Sequence, residues 1–149
     1  MEWLYDSMCF ACGEQNPIGL KLKFDVPAEG IVVTSFTPNP NHQSWPGIMH
    51  GGLTATVVDE LMGRCVNALG YAGVTVRFEL RYRSAIPVGE TINFEAKVVK
   101  QRLPIMDLKA KGVTSSGKVV VEATGRFMIK GSYEEFINQL QEGATLIHE

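Results

Sequence analysis

The sequence has no basic excess. Among its 149 residues, 14 Lys and Arg stand against 16 Asp and Glu, a formal net charge of −2. Attraction to nucleic-acid phosphates needs clustered positive charge, so this balance excludes a nucleic-acid partner. Long apolar runs are missing as well. The longest stretch free of Asp, Glu, Lys and Arg, residues 30–58, contains Pro38, Pro40, Pro46 and several Asn, and residues 65–76 are too short to cross a bilayer, so no membrane span is expected. Residues 1–8 have neither a basic nor an apolar leader segment, and no signal peptide is read. Cysteine is scarce. Three cysteines cannot all pair, which favours a reducing compartment and predicts a cytoplasmic protein. Internal repeats and low-complexity tracts are absent. What is there is an ordinary globular composition, 45% hydrophobic and 20% charged, which excludes disorder and a coiled coil. The length predicts one domain over residues 1–149. Glycine is mildly enriched, with 15 residues.

Strand patterns dominate. Leu20, Leu22, Phe24 and Val26 alternate with Lys21, Lys23 and Asp25, which predicts a half-buried strand. The β-branched run 31–37 follows the turn signal at 27–30, so the two segments predict a hairpin. A polar loop covers 38–46. From Val74, the residues Val74, Val76, Phe78, Leu80 and Tyr82 share one face, and Thr75, Arg77, Glu79, Arg81 and Arg83 share the other. Residues 91–100 repeat the alternation through Ile92, Phe94, Ala96 and Val98. Residues 106–114 and 118–130 come next, joined by a hairpin turn at Ser115, Ser116 and Gly117. In the last of these Val119, Val121, Ala123, Gly125, Phe127 and Ile129 share a face. Ser132 and Glu135 form a capping-box pattern for a short helix over 132–142, and residues 1–19 read as a lead-in.

Between the strand groups lies one long helical pattern, 52–69. Its apolar positions, among them Leu53, Val57, Val58, Leu61, Met62 and Cys65, fill an arc of roughly 220°. So wide an arc predicts a helix nearly engulfed by the sheet. The remaining arc carries Asp59, Gly63, Thr56, Asn67 and Glu60, mostly small side chains that permit close approach by a partner or a ligand. Just before this helix stand His50, Gly51 and Gly52. Glycines at a helix start leave the orphan backbone N–H groups unobstructed, and such amides suit a developing oxyanion. Asp59 lies eight residues beyond Gly51, at the edge of the apolar arc, where partial desolvation would raise its basicity. Donors for a carbonyl oxygen and a base or nucleophile together point to acyl transfer. Eight helical residues span about 12 Å, so Gly51 and Asp59 of one helix cannot meet at one carbonyl. If they cooperate they come from two chains, as in a twofold dimer with antiparallel helices.

The run His50-Gly51-Gly52-Leu53-Thr54-Ala55-Thr56-Val57-Val58-Asp59-Glu60 resembles the signature of hotdog-fold acyl-CoA thioesterases, in the phenylacetate-pathway and hydroxybenzoyl-CoA branch. The likeness covers most of the chain, including the later strand with Tyr82 and the segment Pro87-Val88-Gly89-Glu90. It implies an α+β hotdog fold, an antiparallel sheet of five or six strands wrapped around one long central helix. It implies hydrolysis of an acyl-CoA thioester. The Gly51 N–H would polarise the carbonyl, Asp59 of the other protomer would be general base or nucleophile, and Thr75 would help to place water. Gly52 falls at the substrate. Asn39, Asn41 and Gln43 are candidates for an amide that the family's preceding loop supplies. A homodimer, or a tetramer made of two dimers, is the implied assembly.

Several residues admit rival roles. Glu60 points roughly 100° away from Asp59 and could be the base instead, but a salt-bridge or interface carboxylate is the better reading. His50 could be a general base, but shaping the turn before the helix is the better reading. His42 sits in the polar loop without a partner pattern. Arg83 and Lys100 are candidates for coenzyme A phosphates, with a charged outer sheet face as the alternative. Cys9 and Cys12, followed by Gly13, look like half a zinc knuckle. Four ligands are needed and no second pair exists in the chain, so unless two chains supply them the pair reads as a turn with two partly buried thiols, and no metal and no cofactor are expected. A dehydratase and a non-catalytic acyl-CoA sensor on the same fold are the alternative functions.

Overall fold

The computed structural model describes residues 7–141. Six strands form one antiparallel sheet: β1 (Asp25–Ala28), β2 (Ile31–Phe36), β3 (Tyr71–Tyr82), β4 (Ile92–Arg102), β5 (Ile105–Thr114) and β6 (Val119–Ser132). Their spatial order is β1-β2-β4-β5-β6-β3, which leaves β1 and β3 at the edges. Helix α1 (Gly51–Ala68) packs against β2, β3, β4, β5 and β6. A short α2 (Tyr133–Gln141) comes after β6. This is the expected arrangement of a sheet around a central helix.

The core is the layer between α1 and the sheet. Val57, Val58, Leu61, Met62 and Cys65 of α1 are fully buried against Phe94, Ile92, Met106 and Leu108. Each such side chain contributes roughly 1.5–3 kcal/mol by leaving water. Gly112 shows how closely this layer is packed. It lies opposite Phe94 in the β4–β5 ladder, and a Cβ there would stand 2.8 Å from the Phe94 ring and 2.9 Å from Val121. Gly112→Ala is expected to cost about 1–3 kcal/mol through overpacking. Urea unfolding measures it, and an unchanged midpoint would show that the ring moves aside freely.

Two sequence expectations change. The alternation holds over 20–24, with Leu20, Leu22 and Phe24 buried and Lys21 and Lys23 exposed, but Val26 is 40% exposed and only Asp25–Ala28 forms a ladder. Lys21 takes φ +55°, and the amides of Leu20 and Leu22 bond the carbonyls of Phe10 and Ala11 at 2.8 and 2.9 Å. The lead-in therefore provides the partners that a strand would have provided. In β3 the predicted shared face is broken: Phe78 and Leu80 pack against the core, and Val74 and Val76 do not. Bulges between Ala72 and Gly73 and between Thr75 and Arg77 shift the period, and Val74 and Val76 are 46% and 52% exposed. An extra residue in one strand exchanges the two faces beyond it. In α1, Arg64 is buried alongside the apolar positions.

Other expectations hold. Gly30 and Gly117 have positive φ in their hairpin turns. Ser132 Oγ accepts from the Glu135 amide at 3.2 Å, capping α2. The expected end of that helix at residue 142, and residues 1–6 of the lead-in, lie outside the described residues. The end of α1 sets the course of β3. Gly70, at φ +86°, reverses the chain, and Asn67 Nδ2 donates to the Tyr71 carbonyl at 3.0 Å. That turn sends β3 back along α1, toward Asp59.

Candidate active site

His50 is the N-cap of α1. Its backbone is extended (φ −61°, ψ 128°), and its Nδ1 accepts from the Gly52 amide at 2.9 Å. A neutral imidazole with Nδ1 accepting carries its proton on Nε2. The His50 carbonyl accepts from the amides of Leu53 and Thr54 at 3.0 and 3.2 Å. Of the first four N–H groups of the helix, three are thus occupied. Only the Gly51 N–H has no acceptor among the described residues, and it sits at the positive end of the helix dipole. His50 is therefore the cap that shapes this turn, and Gly52 offers its amide to that cap.

Tyr82, at the far end of β3, fixes Gly51 from the other side. Its hydroxyl donates to the Gly51 carbonyl at 2.7 Å, and a Cβ on Gly51 would touch its ring at 3.4 Å. Sequence periodicity puts Tyr82 on a strand but assigns it no role at the helix start, because the contact joins residues 31 positions apart.

Asp59 is half-buried on α1, and Thr75 Oγ1 donates to its Oδ1 at 2.8 Å. The two residues expected to work together are adjacent. Burial is the main effect on the carboxyl and raises its pKa above the usual carboxylate range. The Thr75 hydroxyl opposes the rise by stabilising the anion, and the charge of Glu60 adds to it. Oδ2 accepts no bond that would compete for water or substrate among the described residues. Glu60 is where it was expected, in an ion pair with Arg64 at 3.0 Å.

The loop before α1 uses its polar side chains on itself. Asn39 Oδ1 accepts from the Asn41 amide at 2.8 Å, and Gln43 Oε1 from the Gly47 amide at 3.1 Å. His42 has partners that the sequence does not reveal. Its Nδ1 accepts from the Asn39 amide at 3.0 Å, its ring packs on Phe36, and burial lowers its pKa. Its carbonyl accepts from the His50 amide at 2.8 Å, tying the loop to the cap.

The profile of the thioesterase superfamily matches residues 46–127, a span that runs from the loop through α1 and the sheet. The chain belongs to the thioesterase superfamily. The class of reaction is thioester hydrolysis. The human acyl-coenzyme A thioesterase 13 is 30% identical over 112 residues, which cover 74% of this chain and 75% of that protein. Among solved structures, the E. coli PaaI protein of the phenylacetic acid degradation operon superposes with a TM-score of 0.72 at 20% identity, covering 76% of this chain and 82% of that one. A hypothetical thioesterase from Streptococcus pneumoniae with coenzyme A superposes with a TM-score of 0.71 at 22% identity, covering 74% and 87%. These likenesses establish the hotdog fold.

On this thioesterase scaffold the two cations expected at coenzyme A phosphates are not brought together. Arg83 pairs with Glu122 at 2.7 Å and lines a cleft on the sheet with Arg81, Lys97, Lys109 and Lys111. Lys100 lines a different hollow with Arg102, Asp107 and Arg126. Among the described residues no helix is long and apolar enough to cross a membrane.

Proposed function

We propose that this chain hydrolyses acyl-CoA thioesters at a site built from two protomers, with the Gly51 N–H of one and Asp59 of the other. The observation that carries this reading is the pair of groups left available on α1. These are one unoccupied amide at the dipole's positive end and one carboxylate of raised basicity, held by Thr75. Asp59 takes a proton from water as the water oxygen attacks the thioester carbonyl, or attacks the carbonyl itself to give an anhydride that water then opens. The Gly51 N–H binds the oxygen that becomes negative. The proton passes to the leaving thiolate, whose conjugate acid has a pKa of about 8.5, so no strong general acid is needed.

Two further observations support the reading. Strand β3 ends the sheet with Val74 at 46%, Val76 at 52% and Tyr82 at 55% exposure, an apolar edge that a second copy would cover. Two variant structures of the pneumococcal thioesterase replace an aspartate and a threonine with alanine, and those positions are separated by 16 residues, as Asp59 and Thr75 are. A homodimer, or two such dimers in a tetramer, and a single catalytic domain over 1–149 belong to the same proposal. So do a cytoplasmic location and coenzyme A phosphates at Arg83 and Lys100.

Release of free thiol from a panel of aliphatic and aromatic acyl-CoAs tests it. Turnover of at least one is expected. Saturable binding without thiol release across the panel would leave a sensor rather than an enzyme. The pH profile adds a finer test. Thr75→Val removes a donor that stabilises the Asp59 anion, so the acid limb of kcat/KM should move to higher pH, with a loss of about 10-fold at neutral pH. A limb that stays in place would remove Thr75 from the carboxylate's environment in solution.

A further inference from the structure

Cys9 and Cys12 have no part in the reaction above, yet the fold surrounds their sulfurs with specific partners. The turn that carries them closes with the Gly13 amide on the Cys9 carbonyl at 2.7 Å. Only glycine permits it, since a Cβ at Gly13 would stand 2.5 Å from the Ser7 carbonyl oxygen. Cys12 is 1% exposed and Cys9 half-buried. The sequence holds no second cysteine pair to complete a metal site. The structure supplies a carboxylate instead. The two sulfurs and an oxygen of Glu60 all lie within 4.8 Å of one another, and no other His, Cys, Asp or Glu joins them among the described residues.

We propose that Cys9, Cys12 and Glu60 bind one divalent cation of the zinc class, with Arg64 as the balancing charge and the fourth position open to water. Two thiolates and a carboxylate are the donors that zinc takes, and tetrahedral geometry at a metal–sulfur length of about 2.3 Å places sulfurs about 3.8 Å apart. The ligand atoms need to contract by about 1 Å at most, and Cys9 lies on a half-exposed turn of the lead-in that can supply the movement. Charge balance favours the ion. Three anionic ligands, a divalent cation and one guanidinium sum to zero, which a buried site requires. Arg64 is positioned for this, with Nη2 at 2.9 Å from Cys12 Sγ and Nε at 3.0 Å from Glu60 Oε1. Its Nε and Nη2 both reach Glu60 through Oε1, which leaves Oε2 to serve the metal. The ion ties the lead-in, 52 positions away in sequence from Arg64, to the helix that carries Asp59. None of this depends on the hydrolytic reading.

The test is a Co²⁺ titration of the reduced, chelator-treated full chain. A thiolate-to-metal charge-transfer band should grow to saturation at one equivalent and disappear on addition of Zn²⁺. Cys9→Ser should abolish the band, and Glu60→Gln should weaken Co²⁺ binding at least about 10-fold. Serine is close to cysteine in size, which limits the disturbance where Cys9 packs on the core, and wild-type stoichiometry is decisive by itself. Absence of the band from the wild-type chain, or its survival in Cys9→Ser, overturns the proposal.

Discussion

Asp59→Asn is expected to lower kcat for acyl-CoA hydrolysis about 1,000-fold while acyl-CoA affinity stays within about twofold. The substitution keeps the size of the side chain and keeps an oxygen to accept from Thr75 Oγ1 at 2.8 Å. It removes only the capacity to take a proton or to attack. What survives comes from the Gly51 N–H and from binding. Stability should move the other way. In the folded chain burial holds the Asp59 carboxyl above its ordinary pKa, so the native state binds this proton more tightly than the unfolded state does. Native stability therefore falls as pH rises from the ordinary carboxylate value through the raised one, and the deficit is complete above the raised value. Asparagine carries no such deficit. Urea unfolding at neutral pH should give a higher midpoint for Asp59→Asn than for the wild-type chain, and the gap should narrow on acidification. A variant that is inactive but less stable would mean that the carboxylate is structural. A variant with unchanged kcat would end its assignment as base or nucleophile.

The same residue shows what can be read from a sequence and what cannot. Its place on α1 and its spacing from Gly51 derive from helical periodicity, which is local. The glycines before the helix signal exposed amides, also locally. Which amide is available is also decided within the turn, but not by spacing. It emerges only because His50 Nδ1 takes the Gly52 N–H, and that choice depends on a side-chain rotamer. The sheet order places β3 beside β6, with β4, β5 and β6 standing between it and β2, and no periodicity encodes that. The β3 bulges break an alternation that the sequence shows as unbroken, because a bulge is set by pairing with the partner strand. Arg64 is the clearest case. On a helical wheel it is a cation among apolar residues. Its burial makes sense only with Glu60 one turn back, Cys12 in the lead-in and the Phe24 ring 5.6 Å from its guanidinium carbon. Long-range polar partners of this kind leave no spacing to read.

Gly51→Pro is the prediction that separates one-chain from two-chain catalysis. Gly51 is the first residue of α1, where proline is well tolerated because its missing N–H makes no intrahelical bond. The residue before it already has the extended backbone that proline demands, with ψ 128° at His50. The helix should therefore survive while the one unoccupied amide is lost, and kcat should fall about 100- to 1,000-fold. Gly51→Ala is the control, since it keeps the N–H and adds a Cβ in ordinary contact with the Tyr82 ring at 3.4 Å. The two inactive variants can then be combined. When Gly51→Pro and Asp59→Asn chains are refolded together, a mixed dimer with cross-chain sites has one site with both lesions and one with neither. Random pairing should restore about a quarter of the wild-type rate from two dead proteins. If Gly51 and Asp59 of the same chain served one carbonyl, each site would keep one lesion and nothing would return. The distance along α1, about 12 Å, argues for restoration.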